Sequence, residues 1–183
     1  MFRETCAQIP KKYREEAGIA AAKLFKQSVW FNNHDHFACY LPTQHEFDAF
    51  PIIEAIWQAK KSCYIPALIP NTKTLQFLPF AYGDPLHYNR YHILEPINIE
   101  NPISPNDLQV VIAPLIAFDL QGHRLGTGGG YYDRTFANLN IVPPILLGLG
   151  FAAQGVSETL PFDPWDIVLQ GIITEQKIID CKM

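Results

Sequence analysis

"LQVVIAPLIAFDLQGHRLGTGGGYYDR", residues 108–134, decides how this chain folds. Residues 108–118 are apolar at nearly every position, the pattern of a strand covered on both faces. Two polar positions, Asp119 and Gln121, follow. Then five glycines fall within the nine residues 122–130, with Arg124 among them and Tyr131, Tyr132, Asp133 and Arg134 behind them. Residues 128–139 can open a helix. A buried strand that passes through bare backbone into a helix is the unit of an open α/β sheet.

The neighbouring segments fit that unit. The spacing of Ala17, Ala20, Ala21, Leu24 and Phe25 predicts a helix over residues 10–30, with Pro10 in its first turn. "HFACYLP" (36–42) reads as a short strand. "EFDAFPIIEAIWQAKK" (46–61) reads as a helix, with Phe50, Ile53, Ile56 and Trp57 inward and Pro51 in the first turn. "CYIPAL" (63–68) is the next strand, so the unit predicts parallel pairing. Residues 69–108 are rich in proline and predict short strands, loops and a hairpin sub-layer. "PILLGLGFA" (144–152) and "DIVLQGIITE" (166–175) complete the strands. The expected architecture is a three-layer open, mostly parallel α/β sheet of about five to seven strands with helices on both faces.

Composition narrows the function. The 183 residues fit one domain, 1–183, large enough to bury a core. With 48% hydrophobic and 17% charged residues the chain is globular. A formal net charge of −4 argues against nucleic acid or an anionic membrane as a partner. Cys6, Cys39, Cys63 and Cys181 form no C-x-x-C pair, so they are expected as reduced thiols in a cytoplasmic protein. The first 18 residues contain no apolar signal region, and no apolar run is long enough to span a bilayer.

Ligands of open α/β sheets bind outside the carboxyl ends of the strands. There, glycines let the backbone approach a ligand, and successive N–H groups favour an anion. Arg124 and Arg134 can add charge-assisted contacts, Asp133 can hold a Mg²⁺ that bridges phosphate oxygens, and Tyr131 and Tyr132 offer faces to a ring. The plainer alternative is a tight turn with a surface ion pair; the buried strand and two arginines favour the ligand loop. It is no P-loop, because the lysine of GxxxxGK[ST] is absent. "GLGFAA" (148–153) fits a dinucleotide fingerprint, but "QGVSETLPFDPW" leaves little room for the helix that must follow. Close strand packing is expected there instead. "HDH" (34–36) reads as a solvated turn, and Glu46 as a helix-start carboxylate. Asp163 and Asp166 read as turn residues or metal ligands.

"IAFDLQGHRLGTGGGYYDR" (116–134) resembles the signature of the 5-formyltetrahydrofolate cyclo-ligases, FD-x-x-G-x-RLG-x-G-x-GYYD. "YLPTQHEFD", "KKSCYIPAL", "YHILEP", "LGLGFAAQ" and "LPFDPWDIVLQGIITE" extend the resemblance over about residues 10 to 176. The resemblance implies a fold like that of the NagB/RpiA/CoA-transferase proteins. It also implies ATP- and Mg²⁺-dependent conversion of 5-formyltetrahydrofolate to 5,10-methenyltetrahydrofolate, with release of ADP and phosphate through an N5-iminium phosphate. By the same resemblance, Arg124 and Tyr131 take part in the chemistry. Arg3, Arg124, Leu125, Gly126, Thr127, Gly128, Gly129, Gly130, Tyr131 and Tyr132 contact ATP. Glu46, Thr127, Gly128, Gly129, Gly130 and Tyr131 contact the folate, and Asp133 and Asp166 are associated with Mg²⁺. A monomer is expected.

One departure stands out. The family opens with K-x-x-x-R on a helix; Arg3 matches its arginine, and no lysine precedes it. That motivates an alternative, a folate-binding storage or sensor protein of the same family with little turnover. Lys11, Lys12 and Arg14 are the next cations in line, although their spacing differs. Arg124→Ala is expected to reduce turnover with the fold intact.

Overall fold

The structure, a computed structural model, describes residues 9–137, 139 and 143–181. Arg3 and Cys6 lie outside the described residues. Helix α1 (Lys11–Lys26) follows Pro10 and buries Ala17, Ala21, Ala22 and Phe25 along one stripe. On its solvent side Lys11–Glu15 and Lys12–Glu16 pair at 3.8 Å, contacts that contribute about 0.3–0.5 kcal/mol each. The helix expected to reach residue 30 breaks at Gln27 and Ser28. The Ser28 hydroxyl donates to Phe25 O at 2.7 Å and accepts the Phe31 N–H at 3.1 Å. One side chain thus closes α1 and caps α2 (Val29–Asn32).

Strand β1 (His36–Cys39) leads through residues 40–49 into α3 (Phe50–Gln58), with Pro51 in the first turn as expected. β2 (Ser62–Leu68) and β3 (Leu75–Pro79) follow, then the predicted hairpin, β4 (Leu86–Tyr88) with β5 (Leu94–Pro96). β6 (Val110–Pro114) is buried at its first four positions. β7 (Ala117–Phe118) and β8 (Arg124–Leu125) form a small ribbon that feeds α4 (Tyr131–Phe136). β9 (Ile145–Leu149), a 3₁₀ turn (Ala152–Gln154), β10 (Gly171–Ile173) and β11 (Ile178–Asp180) end the chain.

The strand expected over residues 108–118 is therefore two. Proline at 114 has no N–H with which to continue a ladder. The buried Gln154 replaces sheet partners by donating to Leu115 O and Ile116 O, both at 3.0 Å. The strand expected over residues 166–175 shrinks to three residues. Residues 163–166 are instead a turn, with Asp166 N–H on Asp163 O and Asp163 N–H on Asp166 Oδ2, both at 2.9 Å. Gly148 behaves as a packing glycine. A Cβ there would lie 2.6 Å from Leu115 Cδ2 and 2.7 Å from Leu169 Cδ1.

Seven strands form one sheet in the order β11-β10-β9-β6-β1-β2-β3. The inner five are parallel, and β11 and β3 pair antiparallel at the edges. One face packs on α1, α2 and α3 through Phe25, Phe31, Ile52 and Ile56. The other packs on α4 and the adjoining loops through Phe136, Phe118 and Leu169. Helices thus cover both faces as expected, though the second face has only a six-residue helix.

From β1 the chain crosses to β2 on one side, and β6 then inserts on the other. The order reverses between β1 and β6. The loop after β1 leads to α3 on one face, and the loops after β6 lead to α4 on the opposite face. In open α/β sheets ligands bind at the strand carboxyl ends where the order reverses in this way.

Candidate active site

Two loops flank this switch point. After β1, Tyr40 is buried and donates its hydroxyl to Phe47 O at 2.8 Å, closing residues 40–47 on themselves. Glu46 sits in the turn within: its N–H bonds Thr43 O at 3.2 Å, and its Oε2 accepts the Thr43 N–H at 2.8 Å. It is no helix-start residue, because α3 begins at Phe50 and Asp48 Oδ1 takes the Phe50 N–H at 3.0 Å. Arg14 holds the turn from behind. Its Nη1 donates to Glu46 O and its Nε to Ile9 O, each at 3.2 Å, and its guanidinium lies 5.6 Å from the Phe151 ring centre. Of the three cations in "KKYR", Lys11 and Lys12 face solvent and Arg14 reaches the site.

After β6 comes the glycine loop. Gly128 and Gly130 adopt φ of 89° and 60°, where a side chain would strain the backbone. Gly130 is the left-handed N-cap of α4. Arg134, expected to meet a ligand, folds back and donates to Gly129 O at 2.6 Å. Thr135 donates to Tyr131 O at 2.7 Å and accepts the Leu75 N–H at 2.9 Å, tying α4 to the start of β3.

Arg124 is the buried charge of the loop. Its side chain is 8% exposed. Nη2 donates to Asp133 Oδ1 at 2.8 Å and Nη1 to Ile167 O at 2.6 Å. The Ile167 N–H returns to Asp133 Oδ1 at 3.1 Å. This clamp brings together three separate segments and sets the backbone of Asp166, the residue before Ile167, next to the Asp133 carboxylate. Each carboxylate has one oxygen engaged, Asp133 Oδ1 as above and Asp166 Oδ2 by Asp163 N–H. Among the described residues no group of three His, Cys, Asp or Glu side chains clusters as a metal cage.

Tyr132 joins the two loops. Burial pushes its phenol up well beyond the usual range, with Cys39 and Glu46 adding to the rise and Arg124 opposing it. Glu46 acts likewise on Tyr40, after burial. Glu46 and Arg124 thus bear on the same hydroxyl from opposite loops. Tyr131 points elsewhere, toward Tyr91, with the two hydroxyls 3.4 Å apart.

Two structural residues were not singled out from sequence. Asp119 accepts four hydrogen bonds at the base of the loop, and Glu95 of "YHILEP" anchors the β4–β5 hairpin. The signal for Asp119 was a lone acid directly after an apolar strand.

The fold is an open, mostly parallel α/β sheet that carries a glycine loop and a clamped arginine beside its switch point. The sequence model of the 5-formyltetrahydrofolate cyclo-ligase family matches residues 3–175, and the chain belongs to that family. It is 35% identical to the 5-formyltetrahydrofolate cyclo-ligase of Escherichia coli over 174 residues, 94% of each chain. It is 38% identical to that of Haemophilus influenzae over 140 residues, 75% of this chain and 74% of the relative. Its fold matches the NMR structure of Aquifex aeolicus 5,10-methenyltetrahydrofolate synthetase with a TM-score of 0.83 at 23% identity, covering 100% of this chain and 90% of the other.

Proposed function

We propose that this chain is an ATP-dependent 5-formyltetrahydrofolate cyclo-ligase. Membership of the family supports the activity, and the observation that carries the residue assignment is the placing of the Glu46 turn and the Arg124–Asp133 clamp on loops that leave the sheet at its switch point. The chemistry asked of it is a dehydrating ring closure. The formyl oxygen is a poor leaving group until it takes the γ-phosphoryl of ATP. N10 then attacks the activated carbon, its proton is lost, and phosphate departs with the former formyl oxygen, leaving 5,10-methenyltetrahydrofolate and ADP.

The chain's own part is positioning and charge. Glu46 offers Oε1 to the N–H groups of the pterin while Thr43 holds Oε2. The glycine loop approaches the phosphates with backbone alone, because a Cβ at Gly126 or Gly128 would meet nothing within 4 Å, leaving open space beside both. Arg124 has three of its five N–H donors left beyond Asp133 and Ile167 O. With only six residues, α4 adds little dipole, so the arginine is the main positive charge. Mg²⁺ usually takes one or two carboxylates and completes its shell with phosphate oxygens and water. The free oxygens of Asp133 and Asp166 fit that need, and the ion when bound neutralises phosphate charge. Among the described residues no helix is long and apolar enough to cross a membrane. Cys39, Cys63 and Cys181 are free and buried, which suits the cytoplasm.

The test is the absorbance of methenyl-folate on mixing the chain with 5-formyltetrahydrofolate and Mg-ATP. Product is expected with ATP and Mg²⁺ and none when either is withheld. A chain that binds the folate by calorimetry yet forms no product is the storage or sensor protein instead.

A further inference from the structure

The end of the glycine loop meets a second cluster at Tyr131. The β4–β5 hairpin carries Arg90 and Tyr91, and the β2–β3 turn carries Lys73. Tyr91 is 51% exposed, and its hydroxyl lies 3.4 Å from that of Tyr131. The Arg90 guanidinium sits 4.9 Å from the Tyr91 ring centre. Both cations are exposed, and among the described residues neither forms an ion pair with a carboxylate. The Tyr131 phenol is held below its usual range by the Tyr91 hydroxyl, and the Arg90 and Lys73 charges add to the effect.

The elements that bring these residues together are fixed. Glu95, 8% exposed, accepts the Leu68 N–H and the Asn89 side-chain amide on one oxygen, both at 2.8 Å. It therefore bolts the hairpin to the end of β2. The Asn89 oxygen takes the N–H groups of Tyr91 and Ile93 at 2.8 and 3.1 Å, which shapes the hairpin tip. Thr135 ties α4 to Leu75, two residues after Lys73. Tyrosine hydroxyls and two cations outside any ion pair among the described residues, presented by three anchored segments, offer the groups that an oxyanion takes.

We propose that Arg90 and Lys73, with the Tyr91 and Tyr131 hydroxyls, hold the glutamyl carboxylates of the folate. This rests on the function proposed above. Charge complementarity supports it. The acids Glu46, Asp133 and Asp166 belong to the segments proposed to hold the reacting end, whereas the groups that meet Tyr131 include the cations Arg90 and Lys73. A substrate with a reactive ring at one end and a dicarboxylate at the other matches that polarity. Phosphate oxygens share the same chemistry, so the test must separate the two sources.

Arg90→Ala and Lys73→Ala are each expected to raise KM for 5-formyltetrahydrofolate about fivefold, and the pair about twentyfold, the scale of exposed ion pairs. kcat and KM for ATP should not change. With 5-formyltetrahydropteroate, which lacks the glutamyl residue, the variants and the unaltered chain should have the same KM. An equal loss with the shortened substrate, or a raised KM for ATP, overturns the proposal and moves the cluster to the phosphates. Unchanged KM for both folates overturns it as well. If the unaltered chain proves to make no methenyl-folate, the function fails separately. The subsite is then read from calorimetric affinities for the two folates, where loss of the double variant's preference for the glutamyl form is the expected result and its retention the refuting one.

Discussion

Arg124→Ala is expected to lower turnover about a hundredfold or more, the scale of removing a preorganised donor from a site of developing charge. It is also expected to lower stability, contrary to what the sequence suggested. The guanidinium is 8% exposed and its partner carboxylate 21% exposed. Alanine leaves Asp133 poorly solvated and paired only with the Ile167 N–H, and strands Ile167 O. Breaking a pair buried to this degree costs about 3 kcal/mol, or about 10 °C in Tm for a chain of this size. Arg124→Lys keeps a charge but not the fork that meets Asp133 and Ile167 O together, so it should fall between. The role in the fold is read from the double variant Arg124→Ala/Asp133→Asn. Removing the orphaned charge should restore much of the melting temperature, while turnover stays low because Asp133 is lost as well. The role in the chemistry is read from Arg124→Ala alone, assayed well below its melting temperature: methenyl-folate formation at the rate of the unaltered chain would mean that Arg124 serves the fold alone.

The sheet was legible because its inner strands have no choice of environment. Residues 110–113 are apolar at every position, and the structure buries all four. The switch point was not legible. Which side of β1 receives β6 depends on pairing, and nothing local encodes it. The glycine loop announced itself by composition, but the engagement of its charges did not. Arg134 and Arg124 look alike in sequence. One folds back on Gly129 O at the surface, and the other is buried against Asp133. Glu46 was found through resemblance, while its turn is held by Arg14, 32 residues earlier in the sequence. The Arg90 and Lys73 cluster was invisible for the same reason. Its members come from two loops in the proline-rich middle, where periodicity carries no signal, and contacts distant in sequence, Glu95 with Leu68 and Thr135 with Leu75, bring them to Tyr131.

Asp119→Ala is expected to be the most destabilising of these changes. Asp119 is 1% exposed and holds the turn between β7 and β8. Oδ1 accepts the N–H groups of Gln121 and His123 at 2.9 and 3.0 Å. Oδ2 accepts the Leu160 N–H at 2.9 Å and the His123 Nδ1–H at 2.8 Å. The His123 ring in turn stacks on Phe162 at 4.0 Å, and Phe162 lies in the segment that leads to Asp166. Alanine leaves three amide N–H groups without a partner, and each such loss costs about 1–3 kcal/mol. A loss of about 4 kcal/mol is expected, or roughly 12 °C in Tm. The effect should depend on pH with a definite sign. Burial works to raise the Asp119 carboxyl, but hydrogen bonds from Leu160 and His123 outweigh it and hold the group below the usual carboxylate range. Its ionised form therefore stabilises the fold above the unfolded value, ~3.9. That contribution is lost only as pH falls through the lower folded value. Melting curves of the two chains should be far apart at neutral pH and converge in strong acid, as the aspartate of the unaltered chain takes up its proton. Turnover at neutral pH should fall too, because β8, which carries Arg124, begins where this turn ends. A constant gap in Tm across the acid range would mean that the carboxylate charge is not what holds the turn.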